Sequence, residues 1–143
     1  MSGTIKGLLL EIGGDTSGLQ KALNKVNSTS SSLSKELKGI NSLLKLDPKN
    51  TELVAQKQTV LTKNIKETED KLKLLKEAQE EADKTIQSGG AISQENYRNL
   101  QREIVSTENK LNNLTEQYKQ FRLETSKLNQ ARKSYARAWR KSR

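Results

Sequence analysis

Tyr97 to Trp139 reads YRNLQREIVSTENKLNNLTEQYKQFRLETSKLNQARKSYARAW. Within it Tyr97, Leu100, Ile104, Thr107, Leu111, Leu114, Tyr118, Phe121, Thr125, Leu128, Arg132, Tyr135 and Trp139 alternate steps of three and four across six heptads without a slip. A row with that spacing runs along one side of a helix, so the pattern predicts one long helix with a narrow seam of the coiled-coil kind. A long amphipathic helix seeking any apolar partner is the plainer account of the same row.

Upstream, Ser93 is placed to cap this helix, and Ser88-Gly89-Gly90 breaks the one before it. A Gly/Ser linker over 88–93 is short enough for the flanking helices to fold back as an antiparallel hairpin, without requiring it. The preceding helix is expected over 48–87, with Asp47 as cap and Pro48 in its first turn. Its seam runs Val54, Gln58, Leu61, Ile65, Thr68, Leu72, Leu75, Gln79, Ala82 and Ile86, weakened by three polar members. A first helix over 16–46 has the seam Leu19, Leu23, Val26, Leu33, Leu37, Ile40 and Leu44, provided Ser30 fills the vacant place. Ser28 to Ser32 (STSSS) are poor helix formers, and either a continuous helix or a flexible break fits them. Residues 1–15 suggest a short strand and turn: Leu8, Leu10 and Ile12 share one side, Gly13-Gly14 stops the run, and Asp15 caps the first helix. A lone strand must pair with another copy or a partner, or pack as irregular structure. The fold class expected is therefore all-α, with long coiled-coil-type helices preceded by one short N-terminal strand; the third helix spans 94–140 and ends basic.

Composition agrees with narrow seams rather than a broad core. Apolar residues make up 31% of the 143, below the roughly 45–50% of ordinary globular domains. Three Tyr, one Trp and one Phe supply little aromatic mass. Charged residues, at 30%, suit the outer faces of paired helices. Seams that bury only part of each helix also favour self-association.

With neither cysteine nor histidine, the chain has no thiolate, imidazole base, disulfide or ordinary zinc site. Acidic residues cluster at Glu67, Glu69, Asp70 and at Glu77, Glu80, Glu81, Asp83, but lysines stand among them. Spacings such as Glu67 with Lys71 and Glu80 with Lys84 read as solvated helix pairs rather than a metal or acid–base site. Gly13-Gly14 and Gly89-Gly90 lack the GK[ST] of a phosphate loop and read as turns. No catalytic residue, cofactor, metal or small-molecule substrate is expected. No segment approaches the roughly 18–20 apolar residues of a membrane span, and Met1 to Ile12 lacks a signal peptide's pattern, so the chain is expected in the cytoplasm where it is made.

The formal charge of +9 is unevenly placed. Up to Glu124 the charges nearly balance; beyond it there is no acid, while Lys127, Arg132, Lys133, Arg137, Arg140, Lys141 and Arg143 add positive charge. Arg132, Lys133, Arg137, Arg140 and Lys141, interleaved with Tyr135 and Trp139, are the candidate contacts for an anionic partner, either nucleic acid or an anionic membrane surface. The alternative is a solubilising end whose cations complement the helix dipole.

Three stretches, in order, carry a family resemblance: Ile5 to Leu23 (IKGLLLEIGGDTSGLQKAL), Leu46 to Gln58 (LDPKNTELVAQKQ) and Ser93 to Glu108 (SQENYRNLQREIVSTE). Together they resemble the N-terminal region of tail tape measure proteins of long-tailed phages infecting Gram-positive bacteria. The resemblance implies a virion structural and assembly protein of a phage or prophage, helical and lying in several copies inside the tail tube. Tube subunits assemble around such a chain with tail assembly chaperones, its length sets tail length, and it leaves before DNA passes. The implied partners are the tail tube protein, those chaperones, and distal tail or baseplate proteins; the family pattern assigns this region no catalytic residue.

A single unbroken helix of this length would reach about 215 Å at 1.5 Å per residue. That is short for a ruler, so the expectation is an N-terminal fragment, a truncated product or a stand-alone relative. The competing function is a coiled-coil module that binds nucleic acid or an anionic membrane through its basic end. A secreted helical hairpin is a third reading; it calls for a Trp-x-Gly turn, whereas Ser88-Gly89-Gly90 stands there and the sole Trp is Trp139.

Overall fold

A computed structural model describes residues 17–141 of the chain as three α-helices: α1 (Ser17–Leu46), α2 (Thr51–Gln87) and α3 (Gln94–Lys141). Among these residues there is no strand; the short strand expected within 1–15 lies outside them.

The helices form an antiparallel bundle with α2 in the middle. It packs on α1 along one side and on α3 along the other, whereas the backbones of α1 and α3 do not approach each other. Two apolar clusters hold the bundle. One joins Leu23 of α1, Leu75, Ala78 and Ala82 of α2, and Leu100 and Ile104 of α3. The other joins Leu37 and Ile40, Val60 and Leu61, and Leu114 and Phe121. Early α1 thus meets late α2 and early α3, so α2 runs against both neighbours. Leucines buried this far contribute roughly 1.5–3 kcal/mol each, which lets few apolar residues hold a polar chain.

The seams of α1 and α3 bury as their spacing predicts, as far as Leu128. Ser30 takes the vacant place in α1 and is buried. The Ser28–Ser32 run is continuous helix. Tertiary contacts override its poor propensity, because Ser30 Oγ donates to Asn64 Oδ1 (3.3 Å) and Ser34 Oγ accepts from Asn64 Nδ2 (3.2 Å). Threonine also fits these helices by returning its hydroxyl to the carbonyl four residues back, as Thr68, Thr107 and Thr125 do.

The α2 seam needs correcting. Leu61, Thr68, Leu75 and Ala82 are buried as expected, but Gln58 is exposed and Ile86 is half exposed. A second row, Asn64, Lys71 and Ala78, is buried instead. A middle helix has two neighbours, and this row fills the angle between them.

Both turns have identifiable chemistry. Asp47 to Asn50 closes with Asn50 N–H donating to the Asp47 carbonyl (3.2 Å), so Pro48 sits inside the turn rather than in the helix. The cap of α2 falls on Asn50, whose Oδ1 accepts from Leu53 N–H at 3.0 Å, and not on Asp47; Asp47 Oδ2 instead accepts from Asn50 Nδ2. At the other end Gly89 takes φ +87°, Gly89 N–H donates to the Ile86 carbonyl and Gly90 N–H to that of Thr85. This is the Schellman closure, and only glycine enters that φ without strain. Ser93 Oγ then accepts from Asn96 N–H (3.3 Å), capping α3 as expected.

Candidate interaction surface at the end of the third helix

Between the two apolar clusters lies a belt of polar side chains that sequence reading missed. Lys71 Nζ, from α2, pairs with Glu103 of α3 at 2.8 Å and donates to Asn27 Oδ1 of α1 at 3.1 Å. Lys110 of α3 reaches Ser30 of α1 at 2.7 Å. The lysine read as the i,i+4 mate of Glu67 is therefore an interior cation joining three helices, because Lys71 stands on the buried row of α2 and not on its solvated face. Glu81, rather than Glu80, is the carboxylate near Lys84, at an exposed 3.7 Å. The available signal was the seven-residue step from Asn64 to Lys71 to Ala78, which marks a second face. Fully paired, such a belt fixes which helix faces which, since a slipped register would strand its charges. Below it, an open groove of about 470 Å³ separates α1 from α3, with Ser34, Asn41 and Asn113 among its lining. Among the described residues no group of three or more carboxylates could hold a metal ion, and no helix is long and apolar enough to cross a membrane.

The predicted anion-contact residues lie elsewhere. α3 has 48 residues against 37 in α2 and 30 in α1, and it outruns its neighbours. Leu128 is its last seam residue at the bundle, lining a second groove of about 470 Å³ with Leu44, Pro48, Val54 and Phe121. From Asn129 to Lys141 every residue is exposed except Ala136, which is half-buried. At about 1.5 Å per residue this projection is roughly 20 Å long. Arg132, Lys133, Arg137, Arg140 and Lys141 all stand on it, exposed. At about 100° per residue Lys133, Arg137 and Arg140 share one side, with Lys141 beside them; Arg132 stands apart, in line with Tyr135 and Trp139. The five therefore do not form one patch: four make a basic stripe, and the fifth belongs to the apolar row. Such a stripe suits repeated anionic groups along a surface and has no enclosed geometry for a small ligand.

Over 111 residues, 78% of its length, the chain is 33% identical to a probable tape measure protein of Lactococcus phage SK1. The chain is a relative of phage tape measure proteins. It spans 11% of the length of that tape measure relative. No protein-family model matches it, and no solved structure matches it.

Proposed function

We propose that this chain is a non-enzymatic structural and assembly protein of a phage tail, the N-terminal part of a tape measure that templates tail tube length. The observation that carries this reading is the identity to the phage SK1 protein over most of the chain. The helices are of coiled-coil type, several copies lie inside the tube, and the partners are the tube protein, tail assembly chaperones and distal tail or baseplate proteins. The fold adds a quantitative condition. Folded back twice, the chain advances only as far as its longest helix, about 72 Å, and not the 215 Å or so of one unbroken helix. This region then acts as a compact head of the ruler, and two of its three helices add nothing to the measured length.

Tandem duplication of residues 17–141 in the phage gene tests the reading by electron microscopy of tails. One added bundle lengthens the tail by about 70 Å, whereas a fully extended chain would add about 190 Å. Tails of unchanged length remove the measuring role from this segment. Normal tails from a phage with the gene interrupted remove the tail role altogether.

The exposed basic stripe favours a second reading, a helical module that binds nucleic acid or an anionic membrane surface through Lys133, Arg137, Arg140 and Lys141, with Arg132 of the expected set standing apart from them on the apolar row. Its test is direct binding of the purified chain to duplex DNA and to anionic vesicles at low salt.

A further inference from the structure

The two apolar clusters leave a polar waist between them, and the weakest stretch of that waist is the centre of α1. Among the described residues α1 gives no side chain to either cluster between Leu23 and Leu33; Val26, half-buried, belongs to neither. The intervening Asn24 to Ser32 reads NKVNSTSSS, and all of it except Lys25 and Val26 is Asn, Ser or Thr. Such short polar side chains compete for the backbone's own hydrogen bonds and disfavour helix. At the same level α2 carries Glu67, Glu69 and Lys71, and α3 carries Glu108, Lys110 and Leu111, all better helix formers.

We propose that the centre of α1 is a built-in joint: residues 27–32 leave the helix and return to it while both apolar clusters stay closed. What holds them is polar. Lys71 donates to Asn27, Ser30 to Asn64 and Lys110 to Ser30, with Asn64 donating to Ser34 at the edge of the segment. When the segment opens, each of these bonds is exchanged for one to water, a smaller net loss than uncovering a leucine. Opening strands no charge either, because Lys71 keeps Glu103 at 2.8 Å on α3. The ends of α1 are anchored differently: Leu23 sits in one cluster, Leu37 and Ile40 in the other, and releasing them means releasing the bundle. The joint therefore opens at lower cost than global unfolding, as a local unit of low stability between two stable ends. Each opening uncovers Asn64 and Lys71, which are buried while it is closed. The inference does not rest on the tail reading, and either stands without the other.

Residue-resolved amide hydrogen exchange of the full chain, in water and in low urea, tests it, with Ile40→Val as the variant. Amides of Thr29 to Ser32 should be protected, yet exchange at least about tenfold faster than those of Leu37, Ile40, Leu61 and Leu114 after correction for intrinsic rates. Their rates should barely respond to low urea, since a local opening exposes little surface, while those of the cluster residues rise with it. Ile40→Val weakens one cluster without breaking it, so it should speed exchange at Leu61 and Leu114 roughly fivefold. The amides of Thr29 to Ser32 should not follow. If they accelerate in step with Leu61 and Leu114, or share their rate and urea dependence in the parent, the segment opens only with the whole bundle and the proposal falls. Complete absence of protection at Thr29 to Ser32 would mean that the helix is not closed there, and overturns it equally.

Discussion

Leu114 and Tyr135 occupy the same heptad position of α3, three heptads apart, yet Leu114 is 5% exposed and Tyr135 76%. The pattern of the sequence is the same at both places; the surroundings differ. Up to Leu128 the seam lies against α1 and α2, and past it those helices have turned at Asp47 to Asn50. Periodicity therefore specifies a helix face, while the lengths of the neighbouring helices decide whether that face is covered. The comparison also separates two kinds of cation. Lys71 is buried in the bundle with partners on two other helices, whereas Arg137 stands exposed on the projection.

The sharpest way to break this comparison is to make one substitution in both regions. Leu114→Asp places an unpaired charge in the second apolar cluster and should cost about 4 kcal/mol or more, enough to unfold a small bundle. Tyr135→Asp should leave the urea midpoint of dilute protein unchanged. Equal losses at the two positions would mean that the projection is part of the folding unit.

Next in size is the interior cation. Lys71→Met leaves the Glu103 carboxylate, 19% exposed, without its charge partner, and should cost about 3 kcal/mol. Adding Glu103→Leu should recover most of that loss, since removing both charges leaves nothing stranded. A double variant no more stable than the single one would show that the belt stabilises through more than this pair.

Lys110→Asp is a smaller test, and it separates sequence reading from structure. Lys110 lies one residue outside the seam, so spacing alone makes this substitution nearly silent. In the fold its amine donates to Ser30 Oγ at 2.7 Å, and losing that bond to a buried hydroxyl should cost about 1 kcal/mol in a urea melt. A change within error would return Lys110 to the solvated class.

One physical division separates the features legible in the sequence from those that were not. Three helices, their breaks at Pro48 and Gly89, and the seams of α1 and α3 down to Ser30 could be read, because each rests on local spacing or turn chemistry. The middle position of α2 could not, since its second buried row holds Asn64 and Lys71, and polar residues leave no trace in a hydrophobic count. The cap shifted from Asp47 to Asn50 because two residues with the same capping chemistry stand three apart, and only the turn between them decides. The basic residues were found, but their division into an outer stripe and a seam member, Arg132, needed the end of the bundle to be located at Leu128.

The smallest expected effect on stability is the largest on charge. Replacing Arg137, Arg140 and Lys141 together with Gln removes three cations from the projection, all exposed. None touches either apolar cluster, so the thermal midpoint should move by no more than about 0.5 kcal/mol equivalent. Glutamine keeps helix propensity close to that of arginine and lysine, so any change in binding reports charge and not fraying of the helix. If the stripe meets phosphates, the parent chain binds duplex DNA or anionic vesicles with an affinity that falls steeply as salt rises, and the triple variant loses both the binding and its salt slope. Lys71→Met, which also removes one positive charge, is the control: it weakens the fold and leaves that slope alone. A parent that binds neither probe at low salt would make the stripe a solubilising end, and a triple variant that binds as well as the parent would move the contact to another part of the chain.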